Sequence, residues 1–309
     1  MPLAFLAVLL PTLFWDRPVD TADALRKAGI TRICVPAGQV ETWRKLSFTA
    51  TAFDRAHAAE TVAPGVEYHM DVASATRVPW VNANGWRFAR DPSRNYFYDV
   101  PAGSAALAAA EASAYGVEAV IRARPEDLAP FARMLAFLGE IDPSRLPAPP
   151  VMANIGIIDD GSDTMAEVLN LLSRHNLLFR VIPSPDPKYD LNIRLGTPEY
   201  PEKAAADPYA FAIDIRHRLT DEKRLVRIYG SNVVLLYLTG DAKSARAHLL
   251  NYGQGHVKGL RVRVLGSYRA GKLSAFEHPN ASLEDYSMAD GAVEFTIPEM
   301  GTYAVVDLK

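Results

Sequence analysis

The sequence predicts an α/β region followed by an all-β region, and three observations carry that reading. Through about residue 140, apolar runs of strand length alternate with runs of helical length, the pattern of strand–helix–strand units around a parallel sheet. The proline-rich tract IDPSRLPAPP at 141–150 reads as a linker. From Arg224 onward, short period-two runs separated by Gly, Asn, Asp and Pro read as an antiparallel sandwich or small barrel. A chain of 309 residues is long for one core, and the domain boundaries fall at 1–140, 151–223 and 224–309.

The apolar run Leu3–Leu13 reads as a buried first strand, since parallel strands covered on both faces are apolar throughout. A signal-peptide core is the other reading, although no Lys or Arg precedes the run. The first reading implies a cytoplasmic protein and the second an exported one. The run is too short to span a membrane, so no membrane partner is expected. Thr21 or Asp20 caps a helix through Lys27 that stops at Gly29, and TRICVP (31–36) is the second strand. Short helices are expected at Gln39–Leu46 and Asp54–Glu60, then a strand at 65–72. The alanine-rich SAALAAAEASAYG forms a helix ended by Gly116, and GVEAVIRA (116–123) a fourth strand. PEDLAPFARMLAFLGEI opens with Pro at the first turn and continues as an amphipathic helix. After the linker, strands at 151–160 and 177–184 flank one helix, and a further helix covers about 209–219. RLVRIYGS, NVVLLYLTG, SARAHLLNYG, LRVRVLGSY, KLSAFE, VEFTIP and TYAVVDL supply the β-region.

Composition removes several functions. A net charge of −3 offers no basic footprint for nucleic acid. A single cysteine, Cys34, excludes an internal disulfide and a Cys-based zinc site, and it reads as a small core residue. The seven histidines show no HxxxH or HxH spacing, so no metal is expected. There is no GxxxxGK[ST], GxGxxG or GxSxG, and no cofactor is expected.

The stretch Val78–Tyr98, VPWVNANGWRFARDPSRNYFY, has neither helical nor strand period and reads as a long loop. Trp80, Trp86 and Arg87 with Asn82 and Asn84 would give a platform of rings, amides and a guanidinium for a sugar, which has an apolar face and a rim of hydroxyls. The other reading is a lid that buries its own aromatics. Strand ends of parallel α/β folds hold chemistry, and here they offer Trp15, Asp16, Asp71, Arg122 and Arg124. Glycoside hydrolysis needs two carboxyl groups, about 5–5.5 Å apart for retention and roughly 6.5–9.5 Å for inversion. Asp16 and Asp71 are the candidate catalytic pair, because each closes an expected strand of one sheet; an Asp there also serves as a helix cap. Arg122 is a candidate ligand for substrate, with Trp15 beside Asp16, and an ion pair of Arg122 or Arg124 with Glu126 or Asp127 is the alternative. Asp159–Asp160–Gly161 reads as a helix cap.

The segments ARAHLLNYG (245–253), LRVRVLGSY (260–268) and VEFTIPEMGTYAVVDL (293–308) resemble the terminal β-domain of multi-domain glycoside hydrolases of the β-galactosidase-like type. That resemblance implies a (β/α) barrel-like domain at 1–140, a flavodoxin- or amidotransferase-like α/β segment at 151–223 that serves assembly, and a C-terminal antiparallel β-sandwich. It also implies a carbohydrate ligand, a homo-oligomer and an exported protein. A full barrel takes about 250 residues, so this one would be truncated, with four expected strands before the linker. The family's Asn-Glu acid/base dipeptide is missing, which leaves open a non-catalytic sugar-binding or assembly protein.

Overall fold

Strand β1 (Thr12–Phe14) is buried at every residue, so both of its faces need cover and it lies inside a sheet. A computed structural model describes residues 10–70, 77–141 and 149–309. The chain divides into two units, Met1–Gly65 with Asp91–Ala148 and Val66–Arg90 with Pro149–Lys309.

In the first unit, helix α1 (Ala22–Lys27) buries Ala22 and Leu25 and leads into β2 (Arg32–Val35). Helix α2 (Val40–Lys45) buries Val40 and Trp43 and leads into β3 (Thr49–Ala52). Residues 55–57 form one 3-10 turn rather than the expected helix, and Ala59–Glu60 is a short strand, β4. The chain then enters the second unit with β5 (Gly65–Met70), β6 (Arg77–Asn82) and helix α3 (Gly85–Arg90). It returns as β7 (Tyr96–Asp99), α4 (Ala105–Tyr115), β8 (Ala119–Arg122) and α5 (Leu128–Ile141). Helix α4 is buried on every side because alanine lets its neighbours approach closely, and Gly116 at φ 66° ends it in the left-handed conformation. Helix α5 buries Leu128, Phe131, Met134 and Leu138, a single stripe.

The six strands of this unit are all parallel, in the order β3-β2-β1-β8-β7-β4. Each strand except the pair β3 and β4 lies beside its predecessor, and the first strand lies beside the last. That is the circular order of a barrel cut at one seam, and not the order of a doubly wound sheet, in which the chain switches direction at its middle strands. Among the described residues no ladder joins β3 to β4 across the seam. The strand expected at 65–72 is β5, but it pairs with β6 in a two-stranded sheet and not with the parallel one. The long loop expected over 78–98 is instead β6, α3 and β7, with Tyr96, Phe97 and Tyr98 buried in strand β7.

The second unit continues with β9 (Ile155–Ile157), α6 (Asp163–Arg174), β10 (Phe179–Val181), β11 (Leu191–Ile193) and α7 (Pro208–Lys223). Ser162 caps α6 by accepting from Met165 N at 3.1 Å, and Asp207 caps α7 by accepting from Ala210 N at 3.0 Å. The three strands form a parallel sheet, β10-β9-β11, whose core includes Met165, Val168, Phe211 and Ile215 from the helices. Strand β11 was not expected from the polar, proline-rich text around it.

From Val226 on, the unit is antiparallel: β12 (Val226–Tyr229), β13 (Val234–Gly240), β14 (Ala245–Asn251), β15 (Val257–Leu265), β16 (Gly271–Ala275), β17 (Glu284–Ala289), β18 (Ala292–Met300) and β19 (Tyr303–Leu308). They make two sheets, β12-β15-β18-β17 and β13-β14-β19-β16. One apolar core takes Leu236, Leu249, Val262, Phe295 and Val306 from both, as a sandwich requires. Among the described residues no helix is long and apolar enough to cross a membrane.

Candidate functional site

Parallel pairing brings the carboxyl ends of β1, β8 and β7 to one edge of the first sheet. Register sets Arg122 directly beside Phe14 on one side and Asp99 on the other. The face that carries these residues also carries Phe97, Val120 and Cys34, with Phe53 packed against them. The rings of Phe14, Phe53 and Phe97 lie 5.6–5.7 Å apart and form an aromatic floor. The Arg55 guanidinium covers Phe97 at 4.9 Å.

Charged groups line the rim beyond this floor. Arg122 meets Asp16 at 2.9 Å and Asp99 at 3.1 Å, and Arg124 approaches the other Asp99 oxygen at 3.6 Å. Among the described residues neither Arg122 nor Arg124 makes the alternative ion pair with Glu126 or Asp127, because register places Asp99 next to Arg122, although Arg124 still acts on Asp127 through its charge. Asp16, Asp99 and Arg122 are each about a third exposed, open enough to meet a ligand. Asp99 Oδ1 is buried and has no hydrogen-bond partner. Asp127, in the turn after β8, accepts from Gly103 N at 2.8 Å, and burial pushes its carboxyl up. Trp15 is 1% exposed; its indole N–H donates to Thr21 Oγ1 at 2.9 Å, which holds the chain leaving β1. Asp71 lies outside the described residues.

The other candidates fall in the second unit. The Arg174 guanidinium lies 3.7 Å above the Trp80 ring. Asn82 on β6 donates to Glu67 on β5 at 2.8 Å, a link within the two-stranded sheet. Asn84 is fully buried, and its carbonyl accepts the first amides of α3, from Arg87 at 2.8 Å and Phe88 at 3.1 Å. Trp86 packs against the core of the β9 sheet with Arg87 4.2 Å over its outer face. Arg90, at the end of α3, grips Asp159 with two bonds of 2.6 and 2.9 Å. Asp159 and Asp160 also accept from the amides of Gly161 and Ser162 at 2.9 Å, turns that lead into α6; the cap of that helix is Ser162 and not the Asp159–Asp160 pair expected.

Thus the structure brings Asp16 and Arg122 together and keeps Trp80, Asn82, Asn84, Trp86 and Arg87 on a separate unit. Asp99 and the phenylalanine floor escaped sequence reasoning. The one signal for Asp99 is its place at the end of a strand, and the sequence of that strand, YFYD, does not stand out from the loop-like text before it. Among the described residues one trio offers metal-ligand atoms, His256, His278 and Glu299, all within 4.8 Å of one another. There His256 Nδ1 and Glu299 Oε1 already hydrogen-bond at 3.0 Å, and Lys258 reaches the same oxygen at 3.8 Å.

No protein-family model and no curated protein matches the sequence. Among solved structures, α-L-fucosidase isoenzyme 2 from Paenibacillus thiaminolyticus is similar, with a TM-score of 0.52 at 8% identity. The similarity covers 69% of this chain and 60% of the fucosidase chain. An Anoxybacillus α-amylase aligns over 94% of this chain and 89% of its own at a TM-score of 0.23 and 11% identity. A GH30 endoxylanase from Clostridium papyrosolvens C71 aligns over 98% and 97% at a TM-score of 0.24 and 9% identity. The last two scores are too low to carry weight. The chain spans about 60% of the fucosidase's length, and what it shares with that glycoside hydrolase is a fold.

Proposed function

We propose that this is a carbohydrate-active protein of glycoside-hydrolase descent, with its sugar site on the carboxyl rim of the six-stranded sheet. The convergence of Asp16 and Asp99 on Arg122, beside an aromatic floor, carries this reading. It stands at the strand ends where parallel α/β enzymes hold substrate, and the fucosidase-like fold supports it. Asp16 and Asp99 are the proposed carboxylates at the rim; Asp71, the partner expected for Asp16, follows a strand that is not in the parallel sheet and is kept as a candidate for the mutational test alone. Hydrolysis needs one of them to protonate the leaving oxygen and another to attack the sugar or activate water. Arg122 orients the rim acids and binds substrate hydroxyls. Trp80, Asn82, Trp86 and Arg87, on the second unit, are proposed as sugar contacts of that unit alone, while the buried Trp15 and Asn84 position their neighbours. The β-galactosidase-like type, the three-domain division and a homo-oligomer belong to the same proposal.

A second reading is a sugar-binding protein without turnover. It is favoured by the engagement of both Asp16 and Asp99 with Arg122, which takes one oxygen of each carboxylate. Hydrolysis of a panel of chromogenic glycosides, with calorimetric binding of the same sugars, separates the two. Turnover that falls at least about a thousandfold in Asp16→Asn or Asp71→Asn supports the enzyme, the scale expected for a nucleophile or general acid. Binding without turnover supports the second reading, and silence in both assays removes the sugar reading altogether.

A further inference from the structure

The second unit holds a cleft of about 400 Å³ in which positive charge is left largely uncompensated. Helix α6 ends at Arg174, and His175 follows; Tyr209 and Arg216, seven residues apart on α7, share one face of that helix. Arg224 and Arg227 enter from the end of α7 and from β12. Among the described residues that line the cleft, none is acidic.

The ordinary role of such arginines is to satisfy carbonyls at a helix end, and it accounts for part of this cluster. Arg224 Nη2 donates to His175 O at 3.3 Å, and Arg174 Nη2 to Pro79 O at 3.4 Å. Asp221 meets Arg224 at 3.5 Å and Arg227 at 3.2 Å. One carboxylate therefore serves two guanidinium groups, and Arg174 and Arg216 make no ion pair among the described residues. Arg224 has only 8% of its side chain exposed, yet its Nε has no acceptor, and neither does the buried Arg174 Nη1. A buried N–H without an acceptor is costly. His175 registers the same field: burial, then Arg174, Arg216 and Arg224, push its imidazole down to about 4.

We propose that this cleft is an oxyanion-binding site, taking the phosphate or sulfate group of a small polar molecule. Several guanidinium forks suit the distributed oxygens of a tetrahedral anion better than a single carboxylate. The exposed rings of Tyr209 and Tyr229 border the cleft and give the organic part of the ligand a surface to lie on. The site lies in the second unit and does not depend on the sugar reading of the rim.

Phosphate and sulfate stabilise proteins in general, so binding is measured directly, by titration calorimetry of the full chain at fixed ionic strength. Sodium phosphate, sodium sulfate and glucose 6-phosphate are the probes, with chloride and acetate as comparators. Phosphate and sulfate should saturate one site, and glucose 6-phosphate should bind at least as tightly as phosphate. Arg216→Gln and Arg227→Gln should each weaken phosphate binding by about tenfold or more, the scale of one charge-assisted hydrogen bond. Arg227→Lys should restore only part of the loss. Absence of saturable phosphate and sulfate binding, or equal binding by acetate, overturns the proposal, as does wild-type affinity in Arg216→Gln. Arg216 is exposed on α7, so that variant decides the matter if Arg227→Gln does not fold.

Discussion

The carboxyl rim of the first unit and the arginine cleft of the second are both built from guanidinium groups at the ends of secondary structure, and they handle charge in opposite ways. At the rim, Arg122 is shared between Asp16 and Asp99, with Arg124 near the second of them. In the cleft, four arginines face no acidic lining residue, and Asp221 meets two of them. A balanced cluster is stable without a ligand and can be recruited by one. An unbalanced cluster gains when an anion arrives. Removing an arginine should therefore cost stability at the rim and cost none in the cleft.

The largest expected effect is at the rim. Arg122→Ala removes the cation shared by two carboxylates, and should destabilise the protein by about 2 kcal/mol in urea unfolding, below the range of about 3–5 for breaking a fully buried pair because solvent and Arg124 reach the rim. A loss under about 0.5 kcal/mol would mean that solvent already screens the rim.

Next comes the pH response of the cleft. His175 has its folded value lowered to about 4, below its ordinary 6.5, so the unfolded chain takes up a proton first as pH falls. Its contribution is fully present above about pH 6.5 and is lost on going down to about pH 4. Allowing for solvent screening, the loss is about 2 kcal/mol. His175→Gln should flatten the stability profile over that window, and an unchanged profile would remove the evidence for a strong positive field there.

The smallest effect has the most informative sign. Arg216→Gln, in chloride buffer without phosphate or sulfate, should leave stability unchanged or raise it by about 0.5 kcal/mol, because it relieves repulsion among like charges. A clear loss would show that Arg216 is balanced after all, and the contrast with Arg122 would vanish.

The parts legible in the sequence were those with a local pattern. Strand β14 (ARAHLLN) falls in a run whose period-two character marks it as strand, and the stripe of α5 was visible from spacing. Cys34 is buried, as a small apolar residue in a strand should be. Strand β17 was missed because it is almost wholly exposed and its text, EDYSMA, carries little apolar period. Strands β3 and β4 were missed because TATA and AE are short and weakly apolar and owe their place to pairing with β2 and β7. The aromatics of 78–98 looked like one loop because a six-residue helix between two strands is too short to show a period.

By itself the sequence determined the change from α/β to antiparallel β near Arg224, the sandwich strands other than β17 and the long helices, since each follows from repeats within a few residues. Only the tertiary structure decided the circular strand order of the first sheet, the transfer of β5 to a two-stranded sheet, and the meeting of Asp16, Asp99 and Arg122. It also decided that Arg174, Arg216, Arg224 and Arg227 share one cleft. Those arrangements depend on which distant strands and helix ends come to lie side by side, and a charged residue carries no local period to announce its partner.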